Sequence, residues 1–156
     1  MRWVLGKSTS ENAIKRLPGL AAKYFQAGRG AVKAGKSPAD LHAFRVKTKQ
    51  FRYALELFQP VYGPPLDQKL EALHEIQKVL GQISDVYTTR DLLKTDRNLK
   101  KQLNRRGKKK IGKFKDHWEG TFDARGELKA WKKFLSTHLG DNLGQAVSTP
   151  KPRKRA

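Results

Sequence analysis

His42, Arg45, Lys49 and Arg52 recur at spacings of three, four and three, the separations at which side chains share one face of an α-helix. Projected at about 100° per residue from His42, the side chains of Arg45, Lys49, Arg52 and Glu56 fall at about −60°, −20°, −80° and −40°. Phe44, Phe51, Leu55 and Phe58 fall within roughly 40° of 180°. One face of this segment is therefore apolar, and a separate face is a ladder of cations. At about 1.5 Å per residue the ladder is about 15 Å long, the reach of several phosphates in a row rather than of one. Arginine offers a planar pair of donors to phosphate oxygens, and lysine a mobile point charge. His42 falls in the first turns of its helix, where free backbone N–H groups also favour anions. The same pattern describes a solvated charged face, so spacing by itself does not choose between the two.

Further cations repeat the idea less cleanly. Arg106, Lys110 and Lys113 form an i, i+4, i+7 stripe beside the apolar arc of a later helix, in a segment that is basic nearly all round. Lys23 stands one heptad after Arg16 on the first helix. Two other motifs suggest different chemistry and fail on context. Gly30 to Ser37 satisfies the spacing of a phosphate-binding P-loop, but that loop works only when a buried strand delivers it, and the preceding residues 21–26 read as helix. Glu71 and His74 have the Glu-x-x-His spacing of di-iron bundles, which need a second such pair and two further glutamates. No metal or other cofactor is expected.

The elements that must position these residues follow from apolar spacing. Ile14, Leu17, Ala21, Tyr24 or Phe25, Gly28 and Val32 mark a first helix, with Pro18 inside it as a kink or a late start. Ser37-Pro38-Ala39-Asp40 is a start signal for the ladder helix, with Ser37 as N-cap, and Pro60 followed by Gly63-Pro64-Pro65 closes it near Gln59. Leu66, Leu70, Leu73, Gln77, Leu80, Ile83 and Tyr87 mark a third helix. Leu99, Leu103, Gly107, Ile111, Phe114, Trp118 and Phe122 mark a fourth, and Leu128, Trp131, Phe134 and Leu135 a short fifth. No period-two strand pattern occurs. The expected fold is all-α: an antiparallel four-helix bundle with a short extra C-terminal helix. Residues 1–9 are expected to form a flexible N-terminal segment, residues 10–140 the bundle, and residues 141–156 a disordered basic tail.

Composition limits what this bundle can do. The 156 residues carry 34 Lys and Arg against 14 Asp and Glu, a formal net charge of +20, and no cysteine. Thiolate metal sites, disulfides and a cysteine nucleophile are therefore excluded. Residues 97–115 hold ten basic and no acidic side chains, whereas residues 67–96 are net acidic. Charge of this size opposes a compact state unless an anionic partner neutralises it. No apolar run approaches the ~20 residues of a membrane span. The patch Trp3-Val4-Leu5 is too brief for a signal-peptide core, so a cytoplasmic location without a membrane partner is expected.

The ladder helix, Leu41-His42-Ala43-Phe44-Arg45-Val46-Lys47-Thr48-Lys49-Gln50-Phe51-Arg52-Tyr53-Ala54-Leu55-Glu56-Leu57-Phe58, resembles the signature helix of the CHAD family, the conserved histidine α-helical domain. Leu73-His74-Glu75-Ile76-Gln77-Lys78-Val79-Leu80-Gly81-Gln82-Ile83-Ser84-Asp85 is similar to that family's second conserved helix. The resemblance implies an all-helical fold that binds inorganic polyphosphate, often at polyphosphate granules, with His42, Arg45, Lys49 and Arg52 as the basic ladder. Gln50 departs from it, standing where many members carry a second basic residue. A full family domain has two related helical halves, and this chain has the length of one. Gly81, which costs about 1 kcal/mol against Ala in mid-helix, is expected to allow close helix approach. Asp85 is expected to pair with Arg45 or Arg52, a simple surface salt bridge being the alternative. The expected function is non-catalytic polyphosphate binding, with nucleic-acid binding as the other reading of the +20 charge. A weak or anion-promoted homodimer is expected to replace the missing half.

Overall fold

Ser8 and Glu11 start the first helix by capping each other. The Ser8 hydroxyl accepts from the Glu11 amide at 3.2 Å, and the Glu11 carboxylate accepts from the Ser8 amide at 2.8 Å. The backbone hydrogen bond, followed by the side-chain one, holds the Glu11 carboxyl below its ordinary pKa. In the computed structural model, which describes residues 5–34, 37–93 and 96–137, the helix α1 runs Thr9–Ala34 without a break at Pro18. Leu17 and Ala21, on either side of that proline, are fully buried, and their packing holds the helix through a missing backbone donor. The basic tail, Gly35 and Lys36 lie outside the described residues.

The ladder helix α2 (Pro38–Glu56) opens with Pro38 in its first turn, as expected, but the Ser37 side chain makes no capping hydrogen bond. It also ends sooner than Gln59. The chain turns at Leu57 and Phe58 into α3 (Gln59–Tyr62), which carries Phe58 and Tyr62 into the core. The Tyr62 hydroxyl donates to the Leu135 carbonyl at 2.7 Å, and burial raises its pKa to about 12. Gly63 then takes φ = +64° before a 3-10 turn over Pro64–Leu66, a backbone region that favours glycine. The next helices are α4 (Asp67–Leu92) and α5 (Arg97–His117), the latter capped by Asp96, whose side chain accepts from the Leu99 amide at 2.9 Å.

The fourth apolar stripe runs through α5 and the π-turn that follows it, but its first turns are loosely packed. Leu99 is 39% exposed, and α5 buries only Gly107 and Phe114. A π-turn over Trp118–Phe122, closed by the Asp123 amide on the Trp118 carbonyl at 2.7 Å, then continues the helix and buries Trp118 and Phe122 in the core. Trp118 and Phe122 stack there with ring centroids 4.9 Å apart. Gly126, at φ = +96°, releases the chain into α6 (Glu127–Thr137). Four positions of an antiparallel bundle result: α1, α2, α4, and a fourth filled by α5 and then α6. The described residues contain no strand, and no helix among them is long and apolar enough to cross a membrane.

An aromatic cluster forms the centre. Tyr24 stacks on Phe44 and Phe51 with centroids 5.3 and 4.7 Å away, and Trp118 meets Phe44 edge-on at 5.2 Å. The close helix approach expected at Gly81 is absent, since a Cβ added there would meet nothing within 4 Å. It occurs instead at Gly28, where a Cβ would lie 2.0 Å from the Trp118 ring, and at Gly107, where it would lie 2.9 Å from Tyr87. These glycines face bulky rings from neighbouring helices, whereas Gly81 faces open space.

Candidate functional site

The apolar face of α2 sets the ladder. Leu41, Phe44, Thr48, Phe51 and Leu55 are buried, which turns His42, Arg45, Lys49 and Arg52 toward the outer margin of the α2–α4 groove. Thr48 is tolerated in the core because its hydroxyl donates to the Phe44 carbonyl at 2.9 Å and meets the Tyr24 hydroxyl at 3.2 Å. Burial in turn raises the Tyr24 pKa well above the ordinary phenol value.

His42 and Lys49 are exposed, and Arg45 and Arg52 half-buried. Arg52 is the most constrained of the four. Its Nε donates to the Gln77 side-chain oxygen at 3.0 Å, one of its η-nitrogens pairs with Glu56 one turn later, and its guanidinium lies 4.8 Å from the centre of the Tyr53 ring. Lys49 reaches the same ring at 5.5 Å. Arg45 contrasts with Arg52, because its Nε is buried without a hydrogen-bond partner. An unsatisfied buried donor of this kind costs about 1–3 kcal/mol.

Two hollows mark the ends of the groove. At the start of α2, Pro38, Leu41 and His42 face Ser84, Thr88 and Asp91 across about 200 Å³. At the other end, Arg52, Glu56, Asp67, Glu71 and His74 enclose about 270 Å³. The α2 side of the groove is thus cationic from His42 to Arg52, with the single carboxylate of Asp91 at its start and a group of carboxylates beyond Arg52. Glu71 and His74 belong to that acidic end, and no group of three potential ligands among the described residues is close enough to share a metal ion. The P-loop spacing opens inside the last turns of α1, with helix before it where a strand is required.

The other expected cations lie elsewhere. Lys110 donates to Gln82 of α4 at 2.8 Å, which places the Arg106, Lys110 and Lys113 stripe beside the α4–α5 groove. Gln82 stands about 140° round α4 from Gln77, so α4 separates this stripe from the ladder. Lys23 is exposed on α1, and α1 packs on the other flank of α2, where Tyr24 meets Thr48. Asp85 does not pair with Arg45 or Arg52. It is exposed, in no ion pair among the described residues, and about 12 Å along α4 from the Gln77 that Arg52 contacts. Gln77 itself was hidden among the apolar spacings of α4; a polar residue in that register was its only signal.

The family model of the CHAD domain matches residues 3–94, which span α1 to α4 and leave α5 and α6 outside the match. No curated protein and no solved structure matches the chain.

Proposed function

Since the chain belongs to the CHAD family, a family associated with polyphosphate-binding proteins, we propose that it binds inorganic polyphosphate along the α2–α4 groove without turning it over. The observation that carries this reading is the uninterrupted run of cations from His42 to Arg52 on one face of α2, with Asp91 across from its start and the larger group of carboxylates beyond Arg52. Phosphates laid along the run would meet the Arg45 guanidinium, the mobile Lys49 ammonium, and the outer edge of an Arg52 already oriented by Gln77. In the cell such binding would direct the protein to polyphosphate granules.

Nucleic acid is the competing polyanion, and the +20 charge favours it equally. What disfavours it is that no free stacking platform stands beside the ladder among the described residues. Trp118 and Trp131 are buried, and the exposed Tyr53 ring beside the ladder is occupied by Lys49 and Arg52. Competition at matched salt separates the two: polyphosphate of defined length should displace DNA of equal charge at low excess. Displacement only in proportion to charge would contradict the proposal.

A further inference from the structure

A second basic recess lies away from the ladder. Between α1, the turn after Phe122, and α6 lies a cavity of about 660 Å³, walled by Arg29, Asp123, Arg125, Lys129, Lys132 and Lys133 among others. Its single carboxylate is already committed. Asp123, 8% exposed at its side chain, accepts from Arg29 Nε at 2.6 Å and from a second guanidinium nitrogen at 2.7 Å. That pair raises the Arg29 pKa, first through the hydrogen bond to Asp123, and it fixes a guanidinium whose side chain remains half exposed at the cavity wall. Arg125, Lys129, Lys132 and Lys133 take part in no ion pair among the described residues. Like charges gathered in a concave wall repel one another and concentrate anions from solution.

The position of this cavity matters as much as its charge. In the ring of helices, α2 neighbours α4 and α1 neighbours α6, so the α1–α6 groove is diagonal to the ladder groove. Packed helices stand about 8–10 Å apart, and a ligand no longer than the ladder cannot reach round the bundle to both. One turn further along α1, a second hollow of about 560 Å³ carries Lys33, Lys108 and Lys115 on its walls, which extends the basic track away from α6.

We propose that the α1–α6 groove is a second polyphosphate site, and that one molecule bridges two polyphosphate strands from opposite faces. This rests on the polyphosphate reading of the ladder. The test compares four proteins: the wild type, a ladder variant (Arg45→Gln, Lys49→Gln, Arg52→Gln), a groove variant (Lys129→Gln, Lys132→Gln, Lys133→Gln) and a charge control (Lys151→Gln, Arg153→Gln, Lys154→Gln). Calorimetric titration with tripolyphosphate at low ionic strength, on samples shown to be monomeric by light scattering, should give two sites in the wild type and the control. It should give one in the ladder variant and one in the groove variant. Protein already held on immobilised long-chain polyphosphate should also capture a fluorescent second strand, and the groove variant should lose at least tenfold of that capture. A single wild-type site that disappears in the ladder variant overturns the second site and leaves the ladder standing. A single site that disappears only in the groove variant refutes the ladder and relocates binding. Equal losses in all three variants, or no wild-type binding, overturn both.

Discussion

Glu56→Gln should tighten polyphosphate binding. In the structure Glu56 pairs with Arg52 one helical turn away, while Gln77 holds the opposite edge of the same guanidinium. The carboxylate therefore competes with phosphate for Arg52 and repels any anion drawn to it. A phosphate about 6 Å from Glu56, at an effective dielectric constant of about 60, is repelled by about 0.9 kcal/mol. Freeing Arg52 from an i, i+4 pair on a solvated surface contributes about 0.4 kcal/mol more. The sum is about 1.3 kcal/mol, which corresponds to five- to tenfold tighter binding at low salt, about 1.4 kcal/mol being a factor of ten. Glutamine keeps an acceptor for Arg52, and the lost ion pair should lower Tm by only about 1–2 °C. Anisotropy titrations with labelled polyphosphate at two ionic strengths measure the effect, and the gain should shrink at the higher one. Unchanged or weaker affinity at low salt would mean that Arg52 does not touch the anion.

Three further outcomes are expected. Gly28→Ala should destabilise the bundle by about 1–3 kcal/mol in urea denaturation, because the new methyl displaces a buried Trp118; Gly81→Ala should stabilise it by about 1 kcal/mol, since nothing opposes the helix-propensity gain. Tyr62, whose pKa is raised to about 12 in the fold from about 10 when unfolded, contributes stability that is complete below pH 10 and lost as pH rises toward 12; alkaline denaturation curves of the wild type and Tyr62→Phe should converge across that window. Val46, Tyr53 and Leu57 leave an exposed apolar stripe on α2 beside the ladder, and light scattering at physiological salt should show dimer forming when short polyphosphate offsets the repulsion of two +20 chains; a strict monomer with and without the anion would show that one copy acts alone.

The ladder and its apolar counterpart were legible because both are properties of a single helix, where a 3.6-residue period assigns every side chain to a face. Features that depend on two helices were not. Gly28 and Gly107 fall on the apolar stripes of their helices and Gly81 does not, but the rings that crowd the first two, Trp118 and Tyr87, come from other parts of the chain. Asp85 was a plausible partner for the ladder and stands level with Arg45 in the register that sets Gln77 opposite Arg52, but it lies about 80° round α4 from Gln77, on an exposed face, and pairs with neither arginine. The stripe through Trp118 was legible as helix to Phe122, but the switch to a π-turn at Trp118 leaves the apolar spacing unchanged and so gave no signal. The α6 lysines looked like the ordinary polar side of an amphipathic helix, and their concave setting appears only with Arg29 and Asp123 placed behind them.

The salt dependence of polyphosphate binding, measured for the wild type, the Arg45, Lys49 and Arg52 to Gln ladder variant, and the Lys151, Arg153 and Lys154 to Gln control, tests the central claim most directly. Each cation that neutralises a phosphate of a single strand contributes about 0.7 to the slope of log K against log salt. The ladder variant should therefore lose about 2 from the slope of the tighter site and at least tenfold in its affinity, with Tm lowered by only about 1–4 °C. The control, which removes the same formal charge, should lose far less of either. Equal losses from the two variants would contradict a ladder site and leave only diffuse attraction between a basic protein and a polyanion.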